Sequence, residues 1–289
     1  SEASATAYFF ADYLQKVLDV PVGIIVSSWG GTAIQAWMSR EVLAPFKAFD
    51  LRFLDDTTSI ERPKYKPCML YNAMIAPVEQ YTIKGFLWYQ GESNRKDPDL
   101  YRRLQPAFVK MLREAWGQGE LPFYYVQIAP FAYEGAELVG SALLREAQLL
   151  NLKEIPNSNM VVTMDIGDRN CIHPARKRKV GERLALLALS GSYGLKGFVP
   201  DTPVYQSMEV ANGKAYLAFD CGSEGLAPLG ATISGVEVAG SDHVFYPATA
   251  QIEKYTGRLE VSCEKVPAPV AVRYCFRNYE QGTLYSRYG

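Results

Sequence analysis

The chain has 289 residues, 48% hydrophobic and 21% charged, enough for one large domain or two modest ones and unlike the composition of a disordered segment. Thirty basic against thirty-one acidic residues give a net charge of -1, so no basic field exists for a nucleic-acid backbone or an anionic membrane. Apolar runs such as Leu184 to Leu189 stay far below the ~18 residues of a membrane helix, and no membrane span is expected.

Phe10, Tyr13, Leu14, Val17 and Leu18 recur at helical offsets ahead of Pro21, which predicts an amphipathic helix. The nearly all-apolar Val22-Gly-Ile-Ile-Val26 reads as a parallel strand covered on both faces. It runs into Ser27-Ser28-Trp29-Gly30-Gly31-Thr32, after which Ile34 and Trp37 predict a helix. Residues 40 to 80, weakly periodic and rich in proline, read as an excursion around short helices. A strand over Tyr81 to Tyr89 ends at Gln90-Gly91-Glu92-Ser93-Asn94 and is followed by a helix from about Pro98 to Trp116. Next come a strand at Leu121 to Ile128, a helix at Ser141 to Leu152 and a strand at Met160 to Met164. The loop Asp165 to Pro174 then leads to a helix over Ala175 to Leu189.

Strand and helix thus alternate four times, the pattern of an α/β fold with a doubly wound parallel sheet. Its site belongs in the loops at the strand C-termini. From Pro203 the pattern changes to short β-type runs between Gly and Pro turns: Lys214 to Phe219, Val236 to Val238, Gln251 to Tyr255, Leu259 to Val261 and Val270 to Cys275. The expected organisation is an α/β domain over residues 1–195 and a smaller antiparallel β-rich lobe over 196–289.

Only two histidines exist, so an imidazole general base is His173 or His243. His173 lies in Asp165-Ile-Gly-Asp168-Arg-Asn-Cys171-Ile-His173-Pro174, between strand and helix, where a ring can project into a cleft. Asp168 or Asp165 can orient it, although a packed or helix-capping histidine fits the same placement. His243 reads as a surface residue. At Gln90 to Asn94 an asparagine amide can donate to a developing oxyanion beside a glycine, a pattern that a plain turn also produces. The Gly30-Gly31 pair offers outward backbone N–H groups, or simply a tight turn; neither a phosphate loop nor a dinucleotide fingerprint is present. Gln90 and Glu92 either contact substrate or brace the loop. Cys171 beside His173 reads as a small semi-buried residue rather than a thiol nucleophile. Five cysteines without C-x-x-C spacing indicate neither a zinc ribbon nor a disulfide framework, and no metal or cofactor is expected. The opening Ser1-Glu-Ala-Ser-Ala-Thr-Ala lacks the basic segment of a signal peptide, as a mature chain also would.

Val22 to Thr32, Leu70-Tyr-Asn-Ala-Met74, Gly85 to Asn94, Leu144-Arg-Glu-Ala-Gln148, Ile172-His-Pro174 and Val180-Gly-Glu-Arg-Leu184 together resemble the sialate O-acetylesterase family of SGNH hydrolases. Val244-Phe-Tyr-Pro-Ala248 and Pro269-Val-Ala-Val-Arg-Tyr274 extend the resemblance into the β-rich lobe. It implies an SGNH-hydrolase, flavodoxin-like sheet and a serine esterase in which His173 is the base. Asn94 and the Gly30-Gly31 pair would form the oxyanion hole, Gly91 would open the approach, and Gln90, Glu92 and Trp29 would meet substrate. The implied partner is an O-acetylated sugar or sialoglycan, in a periplasmic or extracellular setting.

Two departures stand out. The family's Gly-Gln-Ser-Asn type nucleophile block is absent, so the expectation is that this polypeptide lacks the nucleophile block and first strand. Ser28 and Ser93 remain as nucleophile candidates, although each belongs to a motif read as part of the oxyanion hole. Asn170 and Cys171 stand where many relatives carry the triad acid, leaving Asp168, Asp165 or a backbone carbonyl to orient His173. The competing functions are a glycan-binding relative without catalysis and a lipid or thioester hydrolase.

Overall fold

A computed structural model describes residues 4–56, 60–198, 200, 202–222 and 225–287, so the opening Ser1-Glu-Ala lies outside the described residues. The chain divides into two compact units. The first holds the residues up to Ile128 with Leu143–Met160 and Lys177–Ser192. The second holds Ala129–Ala142, Val161–Arg176 and the residues from Tyr193 onward.

The α/β elements are α1 (Ala5–Leu18), the single turn α2 (Arg40–Leu43), β1 (Phe86–Trp88), α3 (Pro98–Trp116), β2 (Phe123–Val126), α4 (Gly140–Leu150), β3 (Ser158–Val161) and α5 (Lys177–Gly191). Short 3-10 turns and one π turn, Tyr71–Ile75, fill the excursion between residues 40 and 80. Ser4 caps α1, its hydroxyl oxygen accepting from the Ala7 N–H at 3.3 Å, and left-handed Asp19 ends it. Alpha-helix α1 crosses α5 at Gly181, where the absence of a side chain lets the two backbones meet.

The sheet has the order β1-β2-β3, with β1 and β2 parallel and Phe86, Leu87 and Trp88 opposite Phe123, Tyr124 and Tyr125. All four residues of β2 are buried. Tyr101, Leu104, Phe108 and Val109 of α3 are buried as well, and the ring of Phe108 lies 4.5 Å from Trp88 and 6.3 Å from Phe123. Interlocked aromatic rings therefore fix the direction in which β1 delivers its C-terminal loop.

Two expectations change. Val22 to Val26 is not a strand of this sheet: it has no strand partner among the described residues, and Ile24, Ile25 and Val26 are 44%, 48% and 45% exposed. Its composition suits a strand, but a strand exists only when a neighbour's edge accepts its N–H and C=O groups, and no described segment lines up beside it. The strand expected over Tyr81 to Tyr89 contracts to Phe86–Trp88 because Ile83 is paired otherwise. The Gln118 carboxamide both accepts from the Ile83 N–H and donates to its carbonyl, each at 3.1 Å.

In the second unit, β4 (Val204–Ala211), β5 (Lys214–Asp220), β6 (Leu226–Ala227), β7 (Val236–Ala239), β8 (Phe245–Pro247), β9 (Thr249–Ile252), β10 (Leu259–Ser262), β11 (Ala271–Tyr274) and β12 (Tyr285–Ser286) form antiparallel sheets of order β4-β5-β10-β9, β11-β7-β8 and β12-β6. The β4-β5 hairpin turns on Asn212-Gly213, both at positive φ, as a two-residue turn requires. Leu217, Val236, Val238, Ile252, Leu259 and Val261 make its core. None of the five cysteines is in a disulfide, and Cys68, Cys221 and Cys275 are buried. Among the described residues no helix is long and apolar enough to cross a membrane, and no cluster of three His, Cys, Asp or Glu side chains is placed to hold a metal ion.

Candidate active site

The first unit brings together two loops separated by some sixty residues of sequence. In one, Gly30 and Gly31 make an exposed turn, and Gly31 takes φ +75°, a left-handed conformation that favours glycine. Among the described residues of this unit neither N–H donates to a protein acceptor. The turn is anchored by buried Thr32, whose hydroxyl donates to Trp29 O at 2.7 Å and accepts from Trp37 Nε1 at 3.0 Å. Trp29 itself is 52% exposed, with Lys64 Nζ 5.6 Å from its ring.

In the other loop, Glu92–Asn94 forms one 3-10 turn beyond β1. Gln90 Nε2 donates to Thr32 O at 3.0 Å and to Asn94 Oδ1 at 2.8 Å, joining the loops. The Ile34 N–H also donates to Asn94 Oδ1, at 2.9 Å, and Asn94 Nδ2 donates to Gln35 Oε1 at 3.0 Å. A backbone N–H can only donate, so the oxygen and nitrogen of the Asn94 carboxamide are assigned by their neighbours. One Nδ2 proton is engaged by Gln35; the other remains for a developing oxyanion.

The backbone of the Gln90 loop is held from behind. Gln90 O accepts from Tyr101 Oη at 3.3 Å and from Gln148 Nε2 at 3.2 Å, while Gln148 Oε1 accepts from the Ile128 N–H at 3.0 Å. Burial pushes the Tyr101 phenol well above the ordinary tyrosine range, so it remains a donor. Gly91 is buried, and the side on which a Cβ would project is filled by Ile128 Cγ2 at 2.6 Å. Its lack of a side chain therefore serves the packing of this turn onto Ile128 and α4. Glu92 is half-buried at the start of the turn; Ser28 and Ser93 are exposed, and within this unit neither hydroxyl is hydrogen-bonded.

His173 and Asp168 belong to the second unit. His173 is exposed in a bend before Pro174, and its carbonyl accepts from Cys171 Sγ at 3.3 Å. Asp168 Oδ1 accepts from the N–H groups of Asn170 at 2.7 Å and Cys171 at 3.1 Å, closing the turn that presents His173. Among the described residues of this unit the imidazole has no hydrogen-bond partner, so Asp168 is joined to the loop rather than to the ring.

Three residues of the first unit's network escaped sequence reasoning as site residues. Gln148 lay within a quoted motif without a role, Tyr101 sat in the helix after the Asn94 loop, and Gln35 followed the Gly30-Gly31 turn. Only the polar character of Gln35 and Gln148 among apolar neighbours marked them.

Comparison with known proteins places these motifs. A family model described as carbohydrate esterase, sialic acid-specific acetylesterase matches residues 2–190. The sialate O-acetylesterase of Mus musculus is 30% identical over 264 residues, 75% of this chain and 48% of that protein. The Homo sapiens protein of the same name is 34% identical over 233 residues, 74% and 44% of the two chains. The chain thus spans about half the length of the curated relatives it matches. A crystal structure titled as a novel carbohydrate acetylesterase from Xanthomonas citri is 38% identical with a TM-score of 0.87, covering 99% of this chain and 63% of that one.

Proposed function

Because the chain belongs to the sialic acid-specific carbohydrate acetylesterase family, we propose that it serves the hydrolysis of O-acetyl groups on sialic acid or a related acetylated sugar. The proposal includes an SGNH-hydrolase, doubly wound arrangement for residues 1–195, a β-rich accessory lobe for 196–289, and a periplasmic or extracellular setting drawn from the family alone.

The supporting observation is the pinned Asn94 carboxamide, tied through Gln90 and the Ile34 N–H to the loop that carries Gly30 and Gly31, whose N–H groups meet no protein acceptor among the described residues of this unit. In the reaction a serine hydroxyl, for which Ser28 and Ser93 are the candidates within this chain, attacks the acetyl carbonyl carbon while His173 takes its proton. The tetrahedral oxyanion is met by Asn94 Nδ2 and the glycine N–H groups. Collapse breaks the ester C–O bond, and the imidazolium returns the proton to the departing sugar oxygen. Water then repeats the sequence on the acetyl-enzyme, releasing acetate. Trp29 and Glu92 would meet the sugar, while Gln90, whose Nε2 protons go to Thr32 O and Asn94 Oδ1, would brace the loop.

A second reading, a glycan-binding relative without turnover, draws on Ser28 and Ser93, whose exposed hydroxyls have no hydrogen-bond partner among the described residues of their unit. Acetate release from an O-acetylated sialoside, measured beside sialoside binding, separates the two. Turnover abolished by His173→Ala supports the esterase; binding with no acetate released would leave the second reading standing.

A further inference from the structure

Every polar atom of the Asn94 carboxamide has an assigned neighbour except the one proton the oxyanion would use, and those neighbours are the Ile34 N–H and the side chains of two glutamines. Gln90 spends both Nε2 protons, one on Thr32 O and one on Asn94 Oδ1. Its Oε1 is left buried without a hydrogen-bond partner among the described residues. Turning the amide over would give that oxygen a new environment, but would set it against two other acceptors, Thr32 O and Asn94 Oδ1. The orphaned oxygen is therefore the cost of an orientation that the two donated bonds demand. On the opposite side Gln35 Oε1 takes one Nδ2 proton at 3.0 Å, and the backbone of Gln35 is itself fixed, its carbonyl accepting from the Cys68 N–H at 3.0 Å.

We infer that Gln35 and Gln90 are positioning residues that clamp the Asn94 carboxamide from its two sides, so that its remaining Nδ2 proton is aimed before the reaction begins. The inference rests on reading Asn94 as an oxyanion donor. Preorganisation explains why two side chains are used: a donor that must first rotate away from solvent or from Gln35 loses much of its value when charge develops. Gln90 holds the oxygen end to the Gly31-Thr32 loop, so the clamp also sets the spacing between Asn94 and the glycine N–H groups. Neither glutamine needs to touch substrate for this.

The test compares Gln35→Ala, Gln90→Met and Asn94→Ala with the parent chain, folding being verified by circular dichroism and thermal midpoint. Met keeps the length of Gln90 without its donors, and half-buried Gln35 tolerates truncation, so one variant survives if the other misfolds. Asn94→Ala should lower kcat by about 10²–10³-fold, as loss of one oxyanion donor does. Each glutamine variant should lower kcat by about 10–100-fold, the scale of a misaligned group, with KM within about twofold. The combined Gln90→Met/Asn94→Ala chain should be no slower than Asn94→Ala alone, because Gln90 acts through Asn94. The Asn94 side-chain amide resonances, read by NMR without any turnover, should shift in both glutamine variants. Unshifted resonances, or a combined loss equal to the product of the single losses, would overturn the clamp while leaving Asn94 its role. An unchanged kcat in Asn94→Ala would overturn both the role and the clamp.

Discussion

A Cβ atom built on Gly91 stands 2.6 Å from Cγ2 of Ile128, closer than side-chain carbons approach one another, and 3.1 Å from Gln148 Nε2. The loop that carries Asn94 is seated on the end of the neighbouring chain segment through a glycine, and Gln148 bonds the backbone of both sides of that contact. Gly91→Ala is expected to lower stability by about 1–3 kcal/mol, the usual cost of overpacking. Ile128→Ala removes the opposing methyl, so the double variant should be less destabilised than the sum of the two singles. Thermal or urea unfolding of the four chains checks this; strict additivity would mean that the contact relaxes elsewhere.

Gly181 faces a harder surface. An added Cβ would meet Thr6 O at 2.7 Å, Phe10 N at 2.8 Å and Phe9 Cβ at 2.8 Å. Two of these are backbone atoms of α1, which cannot turn aside as a side-chain tip does. Alanine within α5 gains about 1 kcal/mol in helix propensity, whereas separating α1 from α5 costs about 1–3 kcal/mol or more in lost packing. Gly181→Ala should therefore destabilise despite its better propensity. An unfolding midpoint at or above that of the parent would contradict the close helix crossing.

How much of this was legible in the sequence depends on how far each determinant lies from what it determines. Helix α3 was read to its ends because its signals are local: Asp97 caps Leu100 N–H at 3.0 Å, Pro98 opens the first turn and Gly117 closes it at φ +63°. The Asn212-Gly213 turn lies between β-type residues in the same local way. Val22 to Val26 went wrong because composition reports a segment's willingness to be a strand, whereas pairing depends on a distant edge. Asn94 was found as a turn asparagine with donor capacity, but Gln35, 59 positions away, acquires meaning only when the two loops meet. Gln90 reads in sequence as either contact or brace for the same reason, since its acceptor at Thr32 is 58 positions upstream.

For Asp168 the geometry separates two roles. Both N–H groups it receives, from Asn170 and Cys171, go to Oδ1, an acceptor that asparagine reproduces. If Asp168 serves by shaping the turn, Asp168→Asn should keep kcat/KM within about threefold, while Asp168→Ala, which removes the acceptor, should lower it about tenfold or more through a displaced His173. A large loss in Asp168→Asn comparable to that in Asp168→Ala would instead assign the carboxylate charge to the imidazole, as in a catalytic triad. Steady-state kinetics on one O-acetylated sialoside decides between them.

Cys68 supplies a pH dependence whose sign follows from burial. Its side chain is fully buried, and desolvation pushes the thiol up to about 11 from an ordinary value of 9.0, with Glu41 reinforcing the shift and Arg40 opposing it. The folded chain thus keeps this proton at pH values where the unfolded chain releases it. A raised folded pKa contributes stability that is fully present below about 9 and is lost as pH rises toward about 11. The urea midpoint should therefore fall across that window, and more steeply in the parent than in Cys68→Ala. Because the Cys68 N–H is bonded to the Gln35 carbonyl, ionising the thiol should also loosen the segment that holds Asn94. Equal slopes in the two chains from pH 9 to 11 would show that the thiol ionises as readily folded as unfolded, and that Cys68 plays no part in this loss of stability.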